Sequence, residues 1–326
     1  MKKKIKIVTS ALIVFFCSCS KDSPEQVISE PNVYIVGIRQ NPVSYDEMAV
    51  YWKNGVETAL TNGVNRSFAK SIFVLNNDVH IVGTEDETYN VPSAKYWKNG
   101  LAYTLATNAE ASSVYVVGVD VYVCGKINTT SGNSYATYWK NGIATHLTNG
   151  TNRGDATDIV IVNNDIYIAG KEGNVAKYWK NGTATNLSDG TYDMYVNKIA
   201  VTSNNDVVVG GYQHSPHKLV YWKNGIQTFI NNSTGLFDIF SMTTYNNDVY
   251  IIGYEGNKAK YWKNGVGYDV TDGTEFAIAQ AMDFYNGNMY IAGYQNNAIK
   301  LWKNGVPTTI ATNTISMDAY DMFLTN

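Results

Sequence analysis

Tyr178-Trp179-Lys180-Asn181-Gly182 is the stretch on which the reading of this chain turns. Its core, Trp-Lys-Asn-Gly, recurs at Trp52, Trp97, Trp139, Trp179, Trp222, Trp262 and Trp302, and these are all seven tryptophans among the 326 residues. The copies are 45, 42, 40, 43, 40 and 40 residues apart. Outward from Trp179, the upstream residues read as Ile159–Val162, a turn at Asn163-Asn164-Asp165, then Ile166–Gly170. A loop at Lys171–Asn174 leads into Val175–Lys180, and Asn181-Gly182 turns the chain into Thr183–Leu187. Asn-Gly between two strand-like runs is a strong hairpin signal, because both turn residues must tolerate positive φ. Each repeat therefore carries four strands, A to D, rich in the Val, Ile, Tyr and Thr that suit a pleated sheet.

Self-similarity at about 40 residues is the period of a four-stranded propeller blade. The B strands (VYIVG, VHIVG, VYVCG, IYIAG, VVVGG, VYIIG, MYIAG) do not alternate cleanly, as expected of sheets covered on both faces. In strand C the Trp and the preceding Tyr, or Leu301 in the last copy, point to opposite faces and fill two different inter-blade spaces. A packing role for all seven Trp explains their identical placement better than sugar stacking does. Met322–Asn326 has the pattern of an A strand with no B strand after it, and Asn32–Gly37 is a B strand with no A strand before it. The expected fold is thus all-β: a seven-bladed β-propeller with four antiparallel strands per blade. Strand 322–326 should pair with 33–37 and close the ring, removing free sheet edges. The repeat resembles a propeller unit over residues 33–326, but it lacks the Gly-His and Trp-Asp pairs of WD40, the double glycine of kelch and the Asp-box of sialidases.

The N-terminus predicts a secreted protein. Lys2, Lys3, Lys4 and Lys6 precede the apolar run Ile7–Phe16, which is too short for a membrane span of about 20 residues and suits a signal-peptide core. Phe16-Cys17-Ser18-Cys19-Ser20 resembles a bacterial lipobox, with Phe16 where Leu is usual. The resemblance, to lipoproteins of Bacteroidota-like bacteria, implies a signal peptide over residues 1–18 and lipidation of Cys19, with Cys17 as the second candidate. It also implies an outer-membrane lipoprotein, periplasmic or surface-exposed, held by its acyl chains alone. Residues 19–32, with two prolines and no periodicity, read as the lipidated Cys and a flexible tether. Cys124, in the strand pattern Val121–Gly125, reads as a small buried apolar residue.

Function is expected on one face. The A–B and C–D turns (mostly Asn-Asn-Asp, always Lys-Asn-Gly) are near-uniform and read as structure. The opposite face carries B–C and D–A loops that differ between blades, with extended B–C loops at Ile38–Val50, Thr84–Lys95, Lys126–Thr137 and Gly211–Val220. Loops on a rigid scaffold are where binding concentrates. The candidate ligand-binding residues are Tyr45, Arg66, Lys70, Tyr89, Tyr135, Arg153, Asp155, Asp158, Asp193, Lys198, Tyr212 and Asp321, biased towards blades 1 to 3. Tyr with mixed charge suits a glycan or peptide. Four histidines, a loose His214-x-x-His217 pair and the acidic run Glu85-Asp86-Glu87, read as a solvated loop, give no metal set, and no nucleophile or cofactor motif appears. A net charge of −3 that includes the basic N-terminus argues against nucleic acid. The expectation is a monomeric binding or interaction module for a glycan, peptide or envelope protein, without cofactor or metal. The alternatives are a polysaccharide lyase or glycoside hydrolase with a composite site at the channel mouth, and a structural subunit of an envelope complex.

Overall fold

In the computed structural model, residues 29–88, 90–230, 237–312 and 316–326 are described, with side chains omitted at 237–239. The predicted signal peptide, Cys19 and Tyr89 lie outside the described residues. From Pro31 to Asn326 the chain forms one unit of seven four-stranded antiparallel sheets. Blade 1 joins Met317–Thr325 (strand A) to Asn32–Gln40 (B), Glu47–Lys53 (C) and Val56–Ala59 (D). Blades 2 to 7 follow in sequence, each opening on its own A strand: Ser67–Leu75, Ala109–Val117, Gly154–Val162, Met194–Val201, Phe237–Tyr245 and Ala277–Tyr285. Each A strand contacts the A strands of both neighbouring blades, so seven A strands form a closed inner wall. The D strands form the outer rim, and those of blades 1, 3, 4 and 6, four residues each, are exposed along their whole length. The ring closes by the expected pairing, with Val33 opposite Leu324 and Ile35 opposite Met322, but the ladder runs further, to Arg39 opposite Met317.

Packing follows the repeat. Each Trp is 0–6% exposed and lies in the core between its own blade and the preceding one: Trp179 among Tyr122, Cys124 and Ala136 of blade 3, Trp52 among Tyr290, Ala292 and Leu301 of blade 7. The adjacent strand C residue packs the other way, Tyr138 into the blade 3–4 core and Leu301 into the blade 7–1 core. At 150–250 Å² and about 25 cal/mol per Å², each Trp contributes up to roughly 4–6 kcal/mol of burial.

The Asn of each repeat is a two-point clamp. Its backbone N–H donates to the carbonyl of the strand B residue that in turn donates its own N–H to the Asn Oδ1, as Asn181 does with Ile166 at 2.9 and 2.8 Å. All seven copies make both bonds. Each does so at φ of 49–51°, the left-handed region that Asn tolerates. In blades 2 to 6 the preceding Lys reaches the A–B turn carboxylate, which also accepts from the Asn amide, as Lys180 and Asn181 do at Asp165 (2.8 and 2.7 Å), whereas Asn32 and Asn288 take the place of the carboxylate in blades 1 and 7.

Two features differ from the sequence reading. The extended B–C loops are mostly paired strand: in blade 2 the ladder continues from Gly83 opposite Lys95 out to Thr88 opposite Val91. The A strands begin earlier than their apolar runs suggest, because each carries a bulge, such as that between Ala69 and Ser71, that re-aims its polar first half. The bulge explains the strand B glycine. A Cβ at Gly37, Gly83, Gly125, Gly170, Gly211 or Gly293 would stand 1.8–2.0 Å from a strand A carbonyl oxygen.

Candidate functional site

The candidate residues fall into groups set by their position along strand A. Lys70, Asp155, Asp158, Lys198 and Asp321 lie in A strands rather than in D–A loops, whereas Arg66 and Asp193 precede them.

Asp321, Ser71, Ser113, Asp158 and Lys198 occupy the residue just after the bulge in blades 1 to 5. They form a belt along the inner wall of blades 1 to 5. Asp321 accepts from the Ser71 hydroxyl at 2.8 Å and from the Ile72 N–H at 3.1 Å. The Ser113 hydroxyl donates to Asp158 at 2.7 Å, and Asp158 accepts from the Ile199 N–H at 2.9 Å and from Lys198 Nζ at 3.5 Å. Burial raises the Asp158 carboxyl above its usual range, opposed by Lys198 and by these donors. Burial alone would lower Lys198, but Asp158 and Asp321 overcome it and hold the ammonium charged. With Asp158 only 5% exposed, this belt is a structural tie between blades with little surface for a ligand.

At the mouth of blades 2 and 3 the residues before the bulge open into a cleft of about 680 Å³. Arg66, Phe68, Lys70, Thr84, Asp86, Asn90, Pro92, Asn108, Glu110, Asn128 and Tyr320 line it. Arg66 pairs with Asp86 at 3.3 Å and lies over the Phe68 ring at 5.5 Å. Glu110 bridges Lys70 at 3.0 Å and Lys126 at 2.9 Å, and Lys126 reaches Asp155 at 3.9 Å. Burial pushes the Glu110 carboxyl up, but the two ammonium groups outweigh it and hold the pKa at about 2. The Thr84 hydroxyl is buried with no hydrogen-bond partner among the described residues. Burial and the neighbouring Asp318 and Glu47 raise the Tyr320 hydroxyl, which stays protonated.

The structure brings Arg66, Lys70 and Asp155 into this cleft or its ion-pair network. It leaves others apart. Tyr45 sits at the exposed tip of the blade 1 hairpin, and Tyr135 stacks on His146 at 4.3 Å. Arg153 is exposed and bridges by its backbone to Ser134. Tyr212 stacks flat on Tyr195 at 4.9 Å in blade 5, where Lys171 pairs with Asp193 at 2.8 Å and covers the Tyr195 ring at 3.7 Å. Asp86, Glu110 and Lys126 belong to the site although the sequence did not single them out as ligand-binding. Asp86 is 6% exposed and ion-paired, not part of a solvated acidic loop. The signal of Glu110 is a charge at the second position of strand A, that of Lys126 a charge just after the strand B glycine, and Asp86 stands three residues beyond Gly83. Among the described residues no group of three or more His, Cys, Asp or Glu could hold a metal ion.

No protein-family model matches the sequence, and no curated protein matches it. Solved structures are similar in fold. A Mycobacterium tuberculosis puromycin-hydrolyzing peptidase matches at 8% identity and a TM-score of 0.58, covering 88% of this chain and 54% of that one. The Pyrococcus horikoshii acylaminoacyl peptidase matches at 11% identity and a TM-score of 0.50, over 87% and 52%. TolB from Acinetobacter baumannii matches at 11% identity and 0.48, over 72% and 62%. This chain thus spans about half the length of the two peptidases. At these identities the likeness is one of architecture: the chain is a seven-bladed β-propeller.

Proposed function

We propose that this propeller is a binding module whose ligand is an uncharged, hydroxyl-rich molecule, an oligosaccharide segment, taken into the cleft at the mouth of blades 2 and 3. The observation that carries this reading is the state of the charges there. Arg66 is matched by Asp86, and Lys70 and Lys126 by Glu110 and Asp155 together. Such a site offers fixed hydrogen-bond donors and acceptors with little net field, which suits a neutral polar ligand better than an ion. Asn90, Asn108 and Asn128 add amides, Phe68 and Tyr320 add apolar ring surface, and about 680 Å³ is within the usual range of small-ligand sites. Tyr and Phe rings beside amides suit the mixed faces of a sugar. Binding is favoured over hydrolysis because Glu110, held at about 2, has no proton to give at neutral pH.

The lipid anchor belongs to the same proposal and is supported by the sequence around Ser18-Cys19. It makes the protein an outer-membrane lipoprotein, and incorporation of labelled palmitate that is lost in Cys19→Ala tests it. The cleft is tested by screening the unlipidated Cys19→Ser protein on a glycan array and by thermal shift. An oligosaccharide that stabilises the protein, and whose affinity falls about tenfold in Arg66→Ala or Lys70→Ala, supports the reading. A glycan that binds both variants unchanged, or a screen with no glycan ligand, contradicts it.

A further inference from the structure

The geometry points to the Lys-Asn-Gly face as a surface that lies against the lipid bilayer, so that the cleft points away from the membrane. This inference rests on the lipid-anchor reading above. Its first observation is where the chain enters the fold. Asn32 begins strand B of blade 1 beside the C–D turn, its side chain accepting from the Asn54 amide at 2.9 Å and donating to the Asn326 carbonyl at 2.8 Å. The tether therefore joins the propeller on the Lys-Asn-Gly face, not on the cleft face.

Polymer arithmetic makes that placement consequential. Twelve residues, 20–31, separate Cys19 from Asn32. A chain of that length reaches at most roughly 40 Å, fully stretched. Passing the height of a nine-residue strand alone takes about 30 Å. Turning the cleft face to the bilayer would then use nearly the whole stretched tether, whereas resting on the Lys-Asn-Gly face needs almost none.

The second observation is the chemistry of that face. In six of seven blades the residue after Lys-Asn-Gly is aliphatic and 59–75% exposed: Val56, Leu101, Ile143, Ile226, Val266 and Val306. These six stand at the outer rim, each paired across the hairpin with the repeat lysine, as Ile143 is with Lys140. A lysine stem beside an aliphatic side chain suits the boundary between headgroups and acyl chains, and because an A–B turn carboxylate pairs with the lysine tip in blades 2, 3, 5 and 6, the face adsorbs through its apolar residues rather than through net positive charge. Val119, 93% exposed in the A–B turn of blade 3, projects from the same face. The ring is spread rather than contiguous, so it adds weak adsorption to a surface that the tether already holds at high local concentration.

The test places an environment-sensitive fluorophore on single cysteines in the full lipidated chain. Ile143→Cys and Val306→Cys report the Lys-Asn-Gly face, and Val43→Cys and Val64→Cys the cleft face; all four positions are at least 68% exposed. Cys124, fully buried, does not label in the folded protein. The proteins are reconstituted in phosphatidylethanolamine–phosphatidylglycerol vesicles carrying a spin-labelled quencher lipid, and acylation of Cys19 is measured by mass spectrometry. Quenching of about twofold at 143 and 306, with none at 43 and 64, is the expected result. Acylated protein with equal quenching on both faces, or none on either, overturns the orientation while the anchor stands. Protein with no acyl chain on Cys19 overturns both.

Discussion

Asn181→Ala isolates what the repeat asparagine contributes. The substitution removes the Oδ1 acceptor of the Ile166 N–H (2.8 Å) and the amide that donates to Asp165 (2.7 Å). It also leaves an alanine at φ of 50°. The left-handed conformation costs a non-Gly, non-Asn residue about 1–2 kcal/mol. Each lost hydrogen bond is worth about 0.5–1.5 kcal/mol, at the low end here because both lie at an exposed turn. The sum is a loss of about 2–4 kcal/mol. Asn181→Gly loses the same two bonds but adopts positive φ freely, so it should cost only about 1–2 kcal/mol. Urea unfolding followed by tryptophan fluorescence reads both, since Trp179 lies two residues away in the blade 3–4 core. Equal losses for Ala and Gly would refute the conformational argument, and losses under about 0.5 kcal/mol in both would refute the clamp itself.

Trp97→Ala, which empties the blade 1–2 core, should cost about 3–5 kcal/mol by the same unfolding measurement; a loss below about 1 kcal/mol would show that the Trp does not hold the blades together. Asp158→Ala leaves the Ile199 N–H and the Lys198 ammonium short of a partner and should cost about 3–5 kcal/mol, partly restored by adding Lys198→Met; strictly additive losses would contradict the coupling. Burial and the charge of Asp321 push the Asp283 carboxyl up to about 6 from an ordinary 3.8. The folded state then holds the extra proton, so stability falls as pH rises from about 4 through 6, by up to roughly 3 kcal/mol. Asp283→Asn should remove that slope and be the more stable protein at pH 7; an unchanged slope in equilibrium unfolding against pH would show that another group is responsible.

How much of this is legible in the sequence differs between fold and site. Trp-Lys-Asn-Gly carries both the hairpin turn and the inter-blade packing residue, so local sequence and tertiary contact repeat together and the blades can be counted. Ring closure is legible because Met322–Asn326 and Asn32–Gly37 are complementary halves of one pattern. The start of strand A is not, because Met317-Asp318-Ala319-Tyr320 has no apolar run and its bulge is set by the neighbouring B strand glycine. The extended hairpins of blades 1 to 3 read as loops because their outer residues are polar, though they pair through the backbone. The belt of Asp321, Ser71, Ser113, Asp158 and Lys198 joins residues from five repeats. Only the shared register along strand A places them together, and no short spacing reveals it. Glu110 escapes sequence reading for the same reason: its partners Lys70 and Lys126 are brought to it by strand pairing and blade packing rather than by spacing along the chain.

Hydrogen–deuterium exchange of the Cys19→Ser protein, with and without the oligosaccharide found by the array, tests the central claim most directly. Slowed exchange is predicted at residues 66–70, 84–86 and 108–110, which line the cleft at blades 2 and 3, with unchanged exchange at the seven Lys-Asn-Gly turns. Protection confined to blades 4 to 7, or to the Lys-Asn-Gly face, would contradict the cleft as the binding site.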